Sequence, residues 1–536
     1  MQDEVVRALA DPRFYRHRPA EVVHVQTHIS HVFLAGPYVY KLKKPVRFPF
    51  LDFGTLALRE RACADEVTLN SRLCPAVYLG VVPVVRPTAG GLALGGPGEV
   101  IDWVVQMRRL PADRMLVDLL ARDAVHAEML ERLAVLLAVF HTAAAAGPEV
   151  ARHGAPEALA AAWAENLAEA APFLGTLIAP VDARLLADFG PRFVARHDAL
   201  FRARQAGGRV REGHGDLHAE HVCFLDEALP GGPDLDPLAP GVYVFDCIEF
   251  SQPLRCNDVA GEIAFLAMDL EYRRRPDLGR AFAAAYAHAA RDPDIATLLP
   301  FYAAHRACVR GKVDGIKSAE PEVEAGDRAA AAERARRYFR LAVRLAWRAM
   351  GPALVAVTGL SGTGKTTVAT ALAAHTGFRH LSSDLVRKVH AGLAPTTSAR
   401  ATYDTGLYTP AARTAVYEAL AADADAALAA GEGVLVDATF LGRPDRDRLV
   451  AVAARRAVPL VFLACEATAD TVRARLAART GSPSDATWET YLEQRRRCDP
   501  FAPGEPHLAL ATDGTPAEVA ADAVRLLWGW VTTTSP

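Results

Sequence analysis

The stretch LVAVTGLSGTGKTTVATALAAH, residues 354–375, runs an apolar strand into a glycine-bearing turn and straight on into an alanine-rich helix. The turn satisfies G-x-x-x-x-G-K-[ST] at every position. Gly359, Gly362 and Gly364 allow the backbone to wrap closely, so that successive N–H groups and the helix N-terminus converge on phosphate oxygens. Lys365 is placed to reach the outer phosphates and Thr366 to hold Mg²⁺, with Ser361, Thr363 and Thr367 completing the loop that faces the nucleotide. A nucleoside triphosphate site, occupied by ATP and Mg²⁺, is therefore expected in the C-terminal third.

Downstream, strand and helix alternate. FRHLSS, GVLVDAT (433–439), PLVFLAC (459–465) and HLALAT (507–512) are separated by helical patterns, and a last helix begins near 515. That rhythm predicts a parallel sheet covered on both faces, with its site at the strand C-termini. Asp384 follows the second strand and Asp437 ends the third, which puts both carboxylates at that edge. Asp384 is the candidate base for a substrate hydroxyl, Arg387 one helical turn on is the candidate for orienting an anionic substrate, and Asp437 is the candidate metal ligand.

The run TADTVRARLAARTGSPSDATWETYLEQRRR brings Arg473, Arg475 and Arg479 ahead of a Gly/Ser/Pro break. It resembles the lid of small P-loop kinases, the group that includes polynucleotide kinase, gluconate kinase and zeta-toxin-like enzymes. The resemblance covers nearly all of 352–530 and implies a phosphoryl-transfer enzyme in which Arg479, ahead of Arg475, closes over the transferring group.

Upstream, VVHVQT (22–27), HVFLAG (31–36) and YVYKLKK (38–44) read as an antiparallel meander, and residues 55–74 read as an amphipathic helix stopped by Pro75. Strand character returns before Leu110. A small sheet crossed by one helix outlines a kinase-type N-lobe, in which a lysine of the third strand pairs with a helix glutamate over nucleotide phosphates. Lys41 is the first choice and Lys43 the second; Glu66 is preferred to Glu60. After a mostly helical stretch comes His214-Gly215-Asp216-Leu217-His218, and some way on Asp246 closes GVYVFD. Two acidic residues on loops flanking a hairpin suit phosphoryl transfer, one as base and one on the metal.

With these residues in place, 20–315 resembles the aminoglycoside phosphotransferase and choline kinase-like branch of the protein-kinase fold, whose catalytic loop reads H-G-D-x-x-x-x-N. The resemblance implies Asp216 as catalytic base, His214 as a brace for the loop, Asp246 as the metal-binding aspartate and Asp258 as the anchor of the loop from the following helix. The sequence departs from the pattern at His221, which stands where the family has a metal-binding asparagine; an imidazole suits softer ions than Mg²⁺. The phosphate-covering hairpin, 27–30, lacks glycine, which leaves Ser30 and its backbone for that task. His218 reads equally as a packed histidine or a ligand, and Glu249 as a metal neighbour or a surface charge.

Composition sets the outer bounds. The 536 residues call for two to four domains, and 51% hydrophobic with 23% charged residues is globular. A net charge of −3 gives no footprint for nucleic acid or an anionic membrane. Neither a signal peptide nor a run of about 18 uncharged apolar residues is present, so a cytoplasmic protein is expected. Eight cysteines without a C-x-x-C pair point to reduced thiols. The expected fold class is an α+β protein-kinase-like two-lobed domain (1–320), a connecting helix (321–350) whose arginines form a solvated face, and an α/β P-loop NTPase domain with a parallel sheet (351–536). The expected function is ATP- and Mg²⁺-dependent phosphoryl transfer to hydroxyls of small polar molecules; the alternative is a regulatory nucleotide-binding protein with a ligand-sensing first half.

Overall fold

In the computed structural model, the described residues are 2–48, 51–229, 241–394, 409–478 and 486–534. They form two compact units, one of Met1–Glu169 with Gly190–Val313, the other of Ala170–Phe189 with Asp314–Pro536. The helix Ala325–Ala349, in the segment expected to connect two halves, groups with the second unit. It buries Tyr338, Leu341, Leu345 and Trp347 and leaves Arg337, Arg340, Arg344 and Arg348 exposed. Among the described residues no helix is long and apolar enough to cross a membrane.

The first unit opens with an antiparallel sheet in the order Val22–Gln26, Ser30–Ala35, Tyr38–Lys43, Glu99–Arg108, Tyr78–Arg86, Ala93–Leu94. Alternation along Tyr38–Lys43 divides its side chains between two faces. Tyr40 and Leu42 enter a core with Phe33, Val84 and Val104 and with Val5 and Leu9 of the helix Gln2–Ala10. Lys41 and Lys43 take the other face, where the helix Leu56–Asn70 lies against the strands. That helix starts at Thr55, whose hydroxyl accepts from Leu58 N at 3.3 Å, and its buried stripe is Arg59, Ala62, Cys63, Glu66 and Asn70. A helical spacing thus carries Glu66 to the lysine face of the sheet. The remainder of the unit is helical apart from two short antiparallel pairs, Val222–Phe224 with Val242–Val244 and Val210–Glu212 with Cys256–Asp258. The helix Val259–Tyr272 is buried over nearly its whole length and packs on Pro276–Ala289.

The second unit holds a five-stranded, wholly parallel sheet in the order Arg379–Ser382, Val434–Asp437, Leu354–Thr358, Leu460–Glu466, His507–Ala511. Leu354–Thr358 and Val434–Asp437 are buried at every position, as continuous apolar runs covered on both faces must be. The P-loop strand lies at the centre, and every strand ends on the same edge.

Candidate functional site

At that edge the strand Leu354–Thr358 turns through Gly359, Gly362 and Gly364, with φ of 134°, 86° and 91°, into the helix Lys365–Thr376. The first two positions also lack room for a side chain: a Cβ would lie 2.5 Å from Cys465 O at Gly359 and 2.8 Å from Val472 Cγ1 at Gly362. Lys365 Nζ folds back over the loop and donates to Leu360 O at 2.9 Å. Thr366 and Thr367 are exposed in the first helical turn. Ser361 and Thr363 are buried: Ser361 N donates to Gln494 Oε1 at 2.8 Å, and Thr363 Oγ1 donates to Leu360 O at 2.8 Å.

Asp437 ends the strand beside the P-loop strand, opposite Val357 in register and opposite Ser382 on its other side. Its carboxylate is buried, with His380 Nε2 3.8 Å from Oδ2. Asp384 stands in the first turn of the helix Ser383–His390, where Arg387 Nη1 donates to its Oδ1. Beside the loop lies a cavity of ≈ 450 Å³ lined by Gly362, Gly364, Thr367, Arg475, Thr512 and Val519, among others. Arg475 Nη2 donates to Thr512 O at 2.5 Å, and Thr512 Oγ1 donates to Thr363 O at 2.7 Å, which ties the cavity wall to the loop. Arg479 lies outside the described residues, as do 480–485 after it.

The residues at this edge fit a nucleotide and its metal. Left-handed glycines, two of them without space for a Cβ, form the cradle, an exposed threonine hydroxyl stands at the helix start, and a buried carboxylate ends the adjoining strand.

The first unit brings together a second set of charges. Lys41 Nζ lies 2.9 Å from Glu66 Oε1 and 2.6 Å from Asp246 Oδ1, and Lys43 Nζ pairs with both Glu66 and Glu249. Lys43 and Glu66 are fully buried. Burial opposes the charge of Lys41, yet Asp246, Glu66 and Glu249 raise its pKa well above the ordinary value. For Glu66, too, burial works against ionisation, and Lys41 and Lys43 hold the carboxyl below its usual range. Asp246 takes a left-handed backbone, φ 62°, two residues beyond the strand Val242–Val244, and its N–H donates to Tyr78 Oη at 3.2 Å.

Opposite them is the loop of Asp216. His214 braces it from both ring nitrogens, Nε2 donating to Phe245 O at 2.8 Å and Nδ1 accepting from Asp216 N at 3.3 Å. The anchor from the following helix is Glu262, one turn beyond the expected Asp258. Glu262 Oε1 and Oε2 accept from His214 N at 3.0 and 2.9 Å, and a Cβ on Gly213 would lie 1.9 Å from Oε2. Asp258 instead caps that helix through Ala260 N at 2.8 Å and takes the fork of Arg204 at 2.7 Å on each oxygen. Ser30 also differs from expectation: it is fully buried, so its hydroxyl does not reach a phosphate-covering position.

His221 stands between the two aspartates, Nδ1 3.6 Å from Asp216 Oδ2 and Nε2 3.5 Å from Asp246 Oδ2. Burial lowers its pKa to about 4, so it is neutral at pH 7. His218 closes on the same oxygen, Nε2 3.4 Å from Asp216 Oδ2, its ring centroid 4.0 Å from that of His221. Sequence reasoning left His218 and Glu249 open and did not single out Glu262 or Gln494. A glutamate one turn into a helix and a glutamine among arginines carry no local signal of the distant backbone they bind.

A chain of this design has relatives in mycobacteria. It is 34% identical over 464 residues to the uncharacterized protein Rv2004c of Mycobacterium tuberculosis (strain ATCC 25618 / H37Rv), covering 87% of each chain, and equally to the uncharacterized protein Mb2027c of Mycobacterium bovis. The chain belongs to their family. Residues 354–501 match the family model described as AAA domain, and with the all-parallel sheet this makes the C-terminal region of the chain a P-loop NTPase fold. Among solved structures, a sugar kinase from Janibacter sp. HTCC2649 is similar at 24% identity, covering 34% of this chain and 95% of that one with a TM-score of 0.27. A gluconokinase from Sinorhizobium meliloti 1021 is similar at 21%, covering 34% and 98% with a TM-score of 0.26. Likenesses at these scores say nothing about the acceptor.

Proposed function

We propose that the second unit is an ATP- and Mg²⁺-dependent phosphotransferase acting on a hydroxyl of a small polar molecule. The observation that carries the reading is the meeting, at one edge of a parallel sheet, of a left-handed glycine cradle, a buried Asp437 on the adjacent strand and an Asp384 held by Arg387. Backbone N–H groups of 364–366, at the helix N-terminus, bind the triphosphate, and Lys365 adds a positive charge at its outer end; the Ser361 N–H is already given to Gln494 Oε1. Thr366 and Asp437 hold Mg²⁺, which neutralises phosphate charge when bound. Asp384 takes the proton of the acceptor hydroxyl as its oxygen bonds the γ-phosphorus and the bond to the β-phosphate breaks, releasing ADP; Arg387 orients Asp384 and the acceptor. Arg475, which lines the cavity beside the loop, adds positive charge at the transferring group, and exclusion of water strengthens each of these interactions.

For the first unit, the protein-kinase-like reading assigns phosphate contact to Lys41 with Glu66, metal contact to Asp246 with His221, and base catalysis to Asp216. One observation favours the second reading, a unit that binds and senses a ligand: Lys41 is already matched by two carboxylates, and two imidazoles close on Asp216. ATP turnover by the full chain, measured with and without a panel of sugars, nucleosides, aminoglycosides and polyols, tests both parts. Acceptor-stimulated turnover that disappears in Lys365→Ala and in Asp384→Asn supports transfer by the second unit. Acceptor-stimulated turnover that survives both and disappears in Asp216→Asn overturns it.

A further inference from the structure

The loop of the first unit places a carboxylate and two imidazoles where one ion can take all three. Asp216, His218 and His221 each offer one ligand atom, and these atoms lie within 4.8 Å of one another. Asp216 Oδ2 is 3.4 Å from His218 Nε2 and 3.6 Å from His221 Nδ1. Zinc binds imidazole nitrogen at about 2.0–2.1 Å and carboxylate oxygen at about 2.0–2.2 Å, so tetrahedral coordination separates neighbouring ligand atoms by about 3.3–3.5 Å. These two edges match neighbouring ligand atoms of a tetrahedron to within a small adjustment, and the third, between the two imidazoles, is at most 4.8 Å.

We propose that Asp216, His218 and His221 form a binding site for a borderline divalent cation of the zinc class. It is distinct from the Mg²⁺ role that the kinase-like reading gives Asp246 and His221. Two nitrogens and one carboxylate oxygen are the donor set of such ions, whereas Mg²⁺ takes oxygen and retains water. The supporting shell is already in place. His218 packs against Phe265, ring centroids 5.7 Å apart; Ala219 N donates to Asp269 Oδ2 at 2.9 Å; and His214 fixes the backbone at Asp216. With the metal on Nδ1, the His221 ring turns its Nε2–H toward Asp246 Oδ2, 3.5 Å away, giving the carboxylate–histidine–metal relay that orients ligating imidazoles.

His221 Nδ1 faces Asp216 O at 2.9 Å, and His218 Nδ1 accepts a long 3.4 Å contact from Glu220 N. Binding exchanges these two contacts for two metal bonds and requires each ring to carry its proton on the nitrogen away from the ion. Asp216 is the most exposed member, its side chain 30% accessible against 14% for His221 and 5% for His218, so the fourth position opens to solvent or to a bound ligand, as in three-ligand sites that admit an exchangeable group. An Asp216 oxygen bound to the ion is no longer a free base, which agrees with the ligand-sensing reading of this unit. The inference does not depend on phosphoryl transfer by the second unit.

Co²⁺ titration of the full chain, followed by visible absorption, tests the site. One equivalent with the intense absorption of four-coordinate Co²⁺, displaced by Zn²⁺ but not by millimolar Mg²⁺, is the expected result. The absorption should vanish in His218→Ala/His221→Ala, whereas Asp246→Asn should keep its shape and weaken Co²⁺ affinity by about 10- to 100-fold. Zn²⁺ should also raise the thermal midpoint of the wild-type chain in a way that Mg²⁺ does not, a readout that needs no variant. No tetrahedral absorption in the wild-type chain, or an unchanged spectrum and stoichiometry in the double variant, overturns the site.

Discussion

The two clefts bind charge in opposite ways. The P-loop edge offers mainly backbone N–H groups and a single lysine, whose ammonium rests on a backbone carbonyl, that of Leu360. The cleft of the first unit is filled with matched ions: Lys41 and Lys43 against Glu66, Asp246 and Glu249, with Lys43 and Glu66 fully buried. Neutralising a lysine therefore has different consequences in the two places. At the P-loop it removes binding and leaves the fold alone. In the first cleft the same charges are part of what holds sheet, helix and loop together, because an ion left buried without its partner is costly.

The largest expected effect tests that difference directly. Glu66→Ala leaves two buried ammonium groups short of a carboxylate and should cost about 3 to 5 kcal/mol in urea unfolding. Lys365→Ala should stay within about 0.5 kcal/mol of the wild-type chain. A Glu66 variant as stable as the Lys365 variant would abolish the contrast. Next, Lys365→Ala should weaken ATP binding or turnover on the order of a hundredfold, the scale of losing one preorganised electrostatic donor; calorimetry with Mg²⁺ and a non-hydrolysable ATP analogue reads it.

Smaller effects sharpen the picture of the cradle. Gly362→Ala combines a left-handed φ of 86° with a Cβ only 2.8 Å from Val472 Cγ1 and should cost about 2 kcal/mol. Gly364→Ala has the same strain, but its nearest neighbour is Arg475 Nη1 at 3.5 Å, so it should cost about 1 kcal/mol. Equal costs in thermal unfolding would show that crowding at Gly362 is not felt.

The smallest effect concerns pH in the second unit, where His375 Nε2 lies 3.3 Å from Asp182 Oδ1. Burial pushes Asp182 up to about 6 from 3.8 and His375 down to about 4 from 6.5. The raised carboxyl means that a penalty present above about pH 6 is relieved as pH falls toward 3.8. The depressed imidazole means that stability present above 6.5 is lost as pH falls toward about 4. The two slopes oppose each other, and the wild-type chain should be nearly flat in this window. Asp182→Asn should make the unfolding free energy fall with acidification by about 1 kcal/mol, and His375→Ala should make it rise, both read from unfolding curves across this pH range; parallel profiles for both variants would contradict the assignment.

The two clefts were also unequally legible in the sequence. The phosphate loop is contiguous, and each of its glycines is demanded by a backbone angle or a close approach, so eight residues of text specify its geometry. The parallel sheet followed from uninterrupted apolar runs, and Asp437 from its place at the end of one. In the first unit, Lys41 and Glu66 were visible through strand alternation and helical spacing, but the pairing of Lys43 with Glu249 joins residues 206 apart. No local pattern records it. Asp258 was expected to hold the Asp216 loop because it begins the next helix; the helix turn places Glu262 there instead and leaves Asp258 to the helix cap and Arg204. Ser30 was misplaced for a similar reason, since the face a hairpin residue takes depends on register with Lys43 across the sheet.

The central claim is that backbone amides of 364–366, at the helix N-terminus, grip a triphosphate. Hydrogen–deuterium exchange of the full chain with Mg²⁺, with and without ATP, measures those amides directly. The account predicts strong ATP-dependent protection of the peptide spanning 354–367 that is lost in Lys365→Ala. Exchange across that peptide unchanged by saturating ATP would contradict it.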